Sequence, residues 1–192
     1  VAGALTARQY FKEDPQIVEL ATNIYKRVDY RWMLNGDPFF LSHGWLPETG
    51  FINRRYKKFC QLACMYLLGI SSPTYSLNPE AWYAWDRDPF EYDGFHYYGR
   101  GLLWRHQYSL GWWDFRKRRE SRGLHVAWFQ NSATATRADR AFCIDLAREF
   151  PGYSADVWGI TSSASPHGYH FSSVQLGTPS NGPNPAGTPT LI

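Results

Sequence analysis

Gln61 is the only amide or charged side chain in FCQLACMYLLGI, the run from Phe59 to Ile70. Burying an amide without partners costs roughly 1–3 kcal/mol. Gln61 is therefore either a core glutamine satisfied by neighbouring backbone or a lone polar position lining a wet cavity. A second concentration of chemistry lies in GLLWRHQYSLGWWDFRKRR from Gly101, where His106, Gln107, Tyr108, Trp112 and Asp114 fall in one Trp-rich stretch. Each donor and acceptor there needs a partner, and a buried, satisfied histidine is the default for His106 taken alone. Carboxylates that could move protons are Glu48, Glu80, Glu91, Asp93 and Asp114. Asp114 beside Arg116 reads first as a structural ion pair. Trp82 and Trp85, three residues apart, are either core or a platform for the flat apolar faces of sugars. Trp45 sits with His43 and Glu48 on a loop.

These groups need elements to hold them. The Phe59–Ile70 run is too long for a typical strand and too short to span a bilayer, so it is expected to form a buried helix. Ser71-Ser72-Pro73 stops it. Asn78-Pro79-Glu80 starts a short helix carrying Trp82 and Trp85, with Asn78 as its cap. Upstream, Val1 to Phe11 reads as the second half of a helix, so the start looks like a cut. Asp14-Pro15 caps the next helix, along which Ile17, Leu20, Ala21, Ile24, Tyr25 and Val28 keep helical spacing. Between Trp32 and Ile52, turns at Asn35-Gly36-Asp37-Pro38 and Pro47-Glu48-Thr49-Gly50 predict a small hairpin. Residues Asp86 to Arg100 form an extended polar-aromatic connection with Glu91, Asp93 and His96. Asn131 is expected to cap a long helix whose inner stripe is Ala135, Ala138, Phe142, Leu146 and Phe150, ended by Pro151-Gly152. Residues 1–170 read as one domain. Residues 171–192 are rich in Gly, Pro, Ser, Thr and Asn, a composition with too little to bury, and are expected to be a disordered tail.

Composition narrows the function class. The 192 residues, 44% hydrophobic, suffice for one sizeable core. The net charge is +3, and its local excess, Arg116-Lys117-Arg118-Arg119, reads as a solvated turn and not as a nucleic-acid surface. The 18% aromatic content, with nine Trp and thirteen Tyr, is typical of proteins that hold carbohydrate or other flat ligands. Cys60, Cys64 and Cys143 lack zinc-site spacing and read as small core residues, so neither a metal nor another cofactor is expected. No apolar run reaches membrane length. The compartment is not readable, and a secreted or periplasmic destination would have its signal upstream.

The pattern MYLLGISSPT, the motif HQYSLGWWDFR, and NSATATRADRAFCIDLAREFPGYSADVWGITSS followed by SPHGY resemble the glycoamylase-like family of glycoside hydrolases. That family includes endo-β-1,2-glucanases and a domain of cyclic β-1,2-glucan synthases. The resemblance runs from Val1 to Tyr169 in unbroken order. It implies a mainly α fold, the later part of an (α/α)6 toroid with small β-hairpins at one end and a cleft for a β-glucan oligo- or polysaccharide. His106, Gln107, Tyr108, Trp112, Asp114 and Arg116 match the family, which implies substrate-binding roles for His106, Gln107, Tyr108 and Trp112 and for Gln61 at the acid position. Trp45, Trp82 and Trp85 are further substrate-binding candidates as aromatic walls. Where the family has a glutamate in a Tyr-Asp-Glu-like triplet, this chain has Phe59, Cys60 and Gln61. Where the family reads Thr-Ala-Ser-Asp, this chain has Thr161, Ser162, Ser163 and Ala164. Family histidines are Tyr75 and Leu110 here, and the Asp-Gly-Thr segment that follows in the family is not recognisable.

Cleaving a glycosidic bond needs one carboxyl group to protonate the leaving oxygen and usually a second to activate water or attack carbon. An amide does neither, so the catalytic residues stay unassigned. Three readings follow: a β-glucan-cleaving enzyme whose acids lie partly upstream, a homologue that binds carbohydrate and has lost the chemistry, and a helical protein-interaction module without sugar affinity.

Overall fold

The computed structural model describes residues 1–99 and 102–159 and the backbone of 163–165 and 168–170. Thr161, Ser162 and the 171–192 tail lie outside these described residues. The chain divides into two compact units, one of residues 1–57 and 62–86 and one of residues 58–61 and 87 onward. The described residues are helix-rich with three small two-stranded sheets. No helix among them is long and apolar enough to cross a membrane.

In the first unit, helix α1 (Ala2–Tyr10) packs on α2 (Pro15–Lys26). The predicted cap holds: the Asp14 carboxylate accepts from the backbone N–H groups of Gln16 and Ile17, and Pro15 takes the first helical position. Helix α2 buries Ala21 and Tyr25, while Leu20 and Ile24 of the predicted apolar stripe remain exposed. Strands β1 (Trp45–Leu46) and β2 (Gly50–Phe51) form the predicted hairpin, closed by Gly50 at φ +76°. Arg55 holds the preceding loop by donating to the carbonyls of Leu34, Asn35 and Phe40, 3.4 Å from Asp37.

The apolar run forms a shorter helix than predicted, α3 (Ala63–Ile70), with Gln61 in the turn before it. Leu62 caps it without a side-chain hydrogen bond. The residues left out of the helix are held by tertiary contacts: Phe59 stacks on Trp128 with centroids 4.5 Å apart and planes 4° from parallel. Helix α3 is fastened by Tyr25, whose hydroxyl donates to the Leu68 carbonyl, and by Tyr66, whose hydroxyl accepts from Leu41 N–H and donates to the Tyr56 carbonyl. Helix α4 (Ala81–Ala84) is one turn, its entry fixed by the Asn78 side chain accepting from Glu80 N–H at 3.0 Å.

In the second unit, the extended connection is a hairpin of β3 (Pro89–Tyr92) and β4 (Phe95–Tyr98). Asp93 and Gly94, at φ +48° and +74°, make its two-residue turn, the conformation an Asp-Gly pair favours. Helix α5 (Leu103–Gln107) runs into a 3-10 turn, Tyr108–Gly111. Helix α6 (Trp128–Asp145) buries Ala135, Ala138, Phe142 and Cys143 against Phe90 and Tyr97, with Leu146 and Tyr153 beyond it. Phe150 is partly buried, so the predicted stripe forms the core. Asn131 is not its cap but lies inside α6, where its side chain donates to the Tyr98 carbonyl (2.9 Å) and accepts from Tyr98 N–H (2.7 Å). The hairpin uses the polar atoms that a cap would offer the helix. Strands β5 (Ser163–Ser165) and β6 (Gly168–His170) pair antiparallel.

Candidate functional site

The stretch from Leu103 to Asp114 separates its side chains by depth. His106 and Ser109 are buried, whereas Gln107, Tyr108 and Trp112 face outward, Tyr108 and Trp112 being 48% and 41% exposed. The two outer rings stand edge to face with centroids 6.3 Å apart. The ring contact sets Tyr108 and Trp112 side by side at the surface, and the exposed Gln107 immediately precedes Tyr108 in the chain. An amide next to two accessible rings matches what a sugar offers, hydroxyls at its rim and C–H groups on its faces.

The inner side chains hold this face in place. Ser132 on α6 donates to the His106 carbonyl at 2.9 Å, and Ser109 donates to the Gln61 carbonyl at 3.0 Å. Gln61, half-buried, is thus tied through its backbone to the 3-10 turn that carries Tyr108. The His106 ring packs between Phe59 (5.1 Å) and the edge of Tyr97 (5.5 Å). Burial, aided by the neighbouring Arg105 charge, drives its pKa down to about 4 against an opposing pull from the Gly99 carbonyl. The ring is therefore neutral at pH 7. Gly99 is required beside it: φ is +97°, and a Cβ there would stand 2.4 Å from Phe59 and 3.2 Å from the imidazole.

Two buried acids escaped sequence reasoning. Glu120, 7% exposed, pairs with Arg87 at 2.8 Å and accepts from the Trp128 indole at 3.0 Å. Asp139, 5% exposed on α6, has its pKa pushed up to about 7 by burial. The helical spacing that placed Ala135, Ala138 and Phe142 inside also placed Asp139 inside, a signal that was available. Glu120 lies in a turn-rich stretch with no periodicity.

The other residues predicted to bind substrate lie in the first unit. Trp45 is 47% exposed and lies 6.0 Å from Trp32, which in turn lies 4.6 Å from Phe51. Trp82 and Trp85 are buried at 8% and 3% and meet edge to face at 4.8 Å, so both pack inside the fold. Of the candidate acids, Glu48, Glu80, Glu91, Asp93 and Asp114 are all exposed. Asp114 forms the expected pair with Arg116, whose guanidinium and backbone N–H hold the carboxyl down at about 2. Arg116 to Arg119 are solvated. No group of His, Cys, Asp and Glu among the described residues is arranged to hold a metal ion.

Comparison with known proteins adds an independent line. The family model Glycoamylase, described as "Putative glucoamylase", matches residues 53–188. An exo β-1,2-glucooligosaccharide sophorohydrolase (non-reducing end) of Parabacteroides distasonis is 26% identical over 195 residues, covering 84% of this chain and 26% of the relative. An endo-β-1,2-glucanase from Chitinophaga pinensis, solved with sophorotriose and glucose, superposes with a TM-score of 0.77 at 25% identity, covering 90% of this chain and 45% of that one. A β-1,2-glucanase from Parabacteroides distasonis shares the fold at a TM-score of 0.80 and 24% identity, covering 93% of this chain and 29% of that one. The chain thus spans about a quarter of the curated relative and less than half of either solved structure.

Proposed function

Because the chain belongs to the Glycoamylase family, we propose that it is part of a β-glucan-acting glycoside hydrolase, with β-1,2-glucan the favoured substrate and its helices contributing to an (α/α)6 toroid. The observation that carries the reading is the Gln107, Tyr108 and Trp112 face, held outward on the buried His106 and Ser109 within the matched segment. Its amide is suited to sugar hydroxyls and its rings to glucose C–H faces. Neutral His106 supports that face from beneath. The names of the relatives favour the β-1,2 linkage.

A second reading, binding without turnover, is favoured by Gln61. Its backbone is fixed to the same turn as Tyr108, and its side chain is an amide at the position where the resemblance implies a carboxylic acid. General acid catalysis typically contributes about 10²–10⁴-fold in rate. Loss of that acid would spare binding more than cleavage.

The test uses the full-length protein with sophorotriose, measuring affinity by calorimetry and cleavage by released reducing sugar. The expected result is weak binding, lowered about fivefold by Tyr108→Ala or Trp112→Ala, with little cleavage. Gln61→Glu should raise turnover. Strong cleavage unchanged by Gln61→Ala would move the proton donor elsewhere. Absence of any saccharide affinity would reject both readings in favour of a protein-interaction module.

A further inference from the structure

We propose that the cleft of about 770 Å³ between the β3–β4 hairpin, the loop before α6 and the first turns of α6 is an additional saccharide-binding site. It would take an uncharged, hydroxyl-rich ligand of about disaccharide size. The volume falls in the range of about 300–1,000 Å³ found for small-ligand sites. None of the residues predicted from the sequence to bind substrate lines it. The inference rests on the saccharide reading above for the class of ligand and is independent of it for the location.

The chemistry of the walls selects the ligand. Glu91 and His96 are directly opposed across the hairpin, so their side chains share a face, with Oε2 and Nδ1 3.4 Å apart. His125 contributes a second imidazole. Its Nδ1 lies 3.1 Å from the Glu120 carbonyl oxygen, which only accepts. Nδ1 therefore carries a proton, and this hydrogen bond does not use Nε2. Gln130 adds an amide, and Thr134 a hydroxyl whose proton goes to the Gln130 carbonyl at 3.0 Å. This mixed set of donors and acceptors suits ring hydroxyls. Among the described residues no lysine or arginine lines the cleft, and the carboxylate of Glu91 disfavours phosphate or other anions. Leu124, 55% exposed, supplies an apolar wall for sugar C–H groups.

The cleft is also preorganised. His125 sits at φ +50°, an unfavourable conformation for a residue with a Cβ, and the surrounding contacts hold it there. Glu120 N–H donates to the Val126 carbonyl at 3.0 Å, closing the loop. The buried Glu120 carboxylate binds Arg87 and Trp128, anchoring the loop's base. Opposite, Asn131 clamps Tyr98 at the end of the hairpin by two hydrogen bonds. A strained, exposed histidine on an anchored loop beside a cavity suits ligand binding, since little order remains to be imposed when the ligand arrives.

The test titrates sophorotriose into the full-length protein and into two variants, Gln130→Ala with Thr134→Val, and His125→Gly, each checked for an unchanged melting temperature within about 2 °C. The changed side chains are exposed or half-buried, and glycine suits the positive φ. The expected result is a two-component isotherm whose second component weakens about fivefold or more in both variants and persists in Tyr108→Ala. Saccharide binding that both variants retain within twofold overturns this inference and leaves the proposed function standing. If the unmodified protein binds no saccharide, the proposed function falls and this inference falls with it.

Discussion

Two buried titratable residues set opposite pH dependences on stability. Asp139 has its folded pKa raised to about 7 by burial, so folding favours its protonated form. Its stabilising contribution is full below the ordinary carboxylate pKa and is lost as pH rises through about 7. His106 has its folded pKa lowered to about 4, so folding favours the neutral ring. That contribution is present above the ordinary imidazole pKa and is lost as pH falls through about 4. Asp139→Asn should therefore remove a decline on the order of a few kcal/mol between pH 4 and 7. Urea unfolding of wild type and variant at pH 4, 5.5 and 7 checks this, and parallel curves would refute it. Gly99→Ala should cost roughly 2 kcal/mol or more, since the methyl group meets Phe59 at 2.4 Å in a left-handed backbone. A melting temperature within 1 °C of wild type would show that Phe59 yields freely.

At the scale of elements, single side chains replace longer runs of secondary structure as fasteners. Asn131 joins α6 to the end of β4 with two hydrogen bonds. Asn131→Ala should cost about 2–3 kcal/mol, because the Tyr98 N–H and C=O then lose their partner in a partly buried place. Hydrogen exchange at Tyr98 should quicken, and unchanged protection there would assign the clamp to other contacts. Glu120→Gln is expected to cost more, about 3–5 kcal/mol, because the buried Arg87 guanidinium loses its counter-charge. Chemical denaturation reads this directly, and a loss below 1 kcal/mol would mean that solvent reaches Arg87. The chemistry of the turns, Asp93-Gly94 and Pro47 to Gly50, makes each hairpin a local decision.

Across the whole molecule, apolar side chains near the beginning of the chain remain uncovered. Helix α1 buries no residue, and Tyr10, Phe11, Leu20 and Ile24 are 78%, 48%, 65% and 50% exposed. Exposed apolar side chains in this number on α1 and α2 give a hydrophobic dye places to bind. The 192-residue chain produced alone should bind a hydrophobic dye and melt at modest temperature. A monomer that binds no dye and melts cooperatively at high temperature would show these side chains to be adequately solvated singly.

What the sequence determined by itself was what depends on neighbours along the chain. Asp14-Pro15 had to start a helix, Asp93-Gly94 had to turn, and Ala135, Ala138 and Phe142 had to share one face. Gln107, Tyr108 and Trp112 stood out by type, and their order carried the family resemblance. Only the tertiary structure decided where Phe59 and Gln61 leave the helical path, because the stacking partner of Phe59 is Trp128, far away along the chain. It likewise turned Asn131 from a cap into a clamp and buried Trp82 and Trp85. It also brought Glu91, His96, His125 and Gln130 around one cleft. Burial and hydrogen-bond partners between distant residues are properties of packing, and local spacing does not encode which pairs will meet.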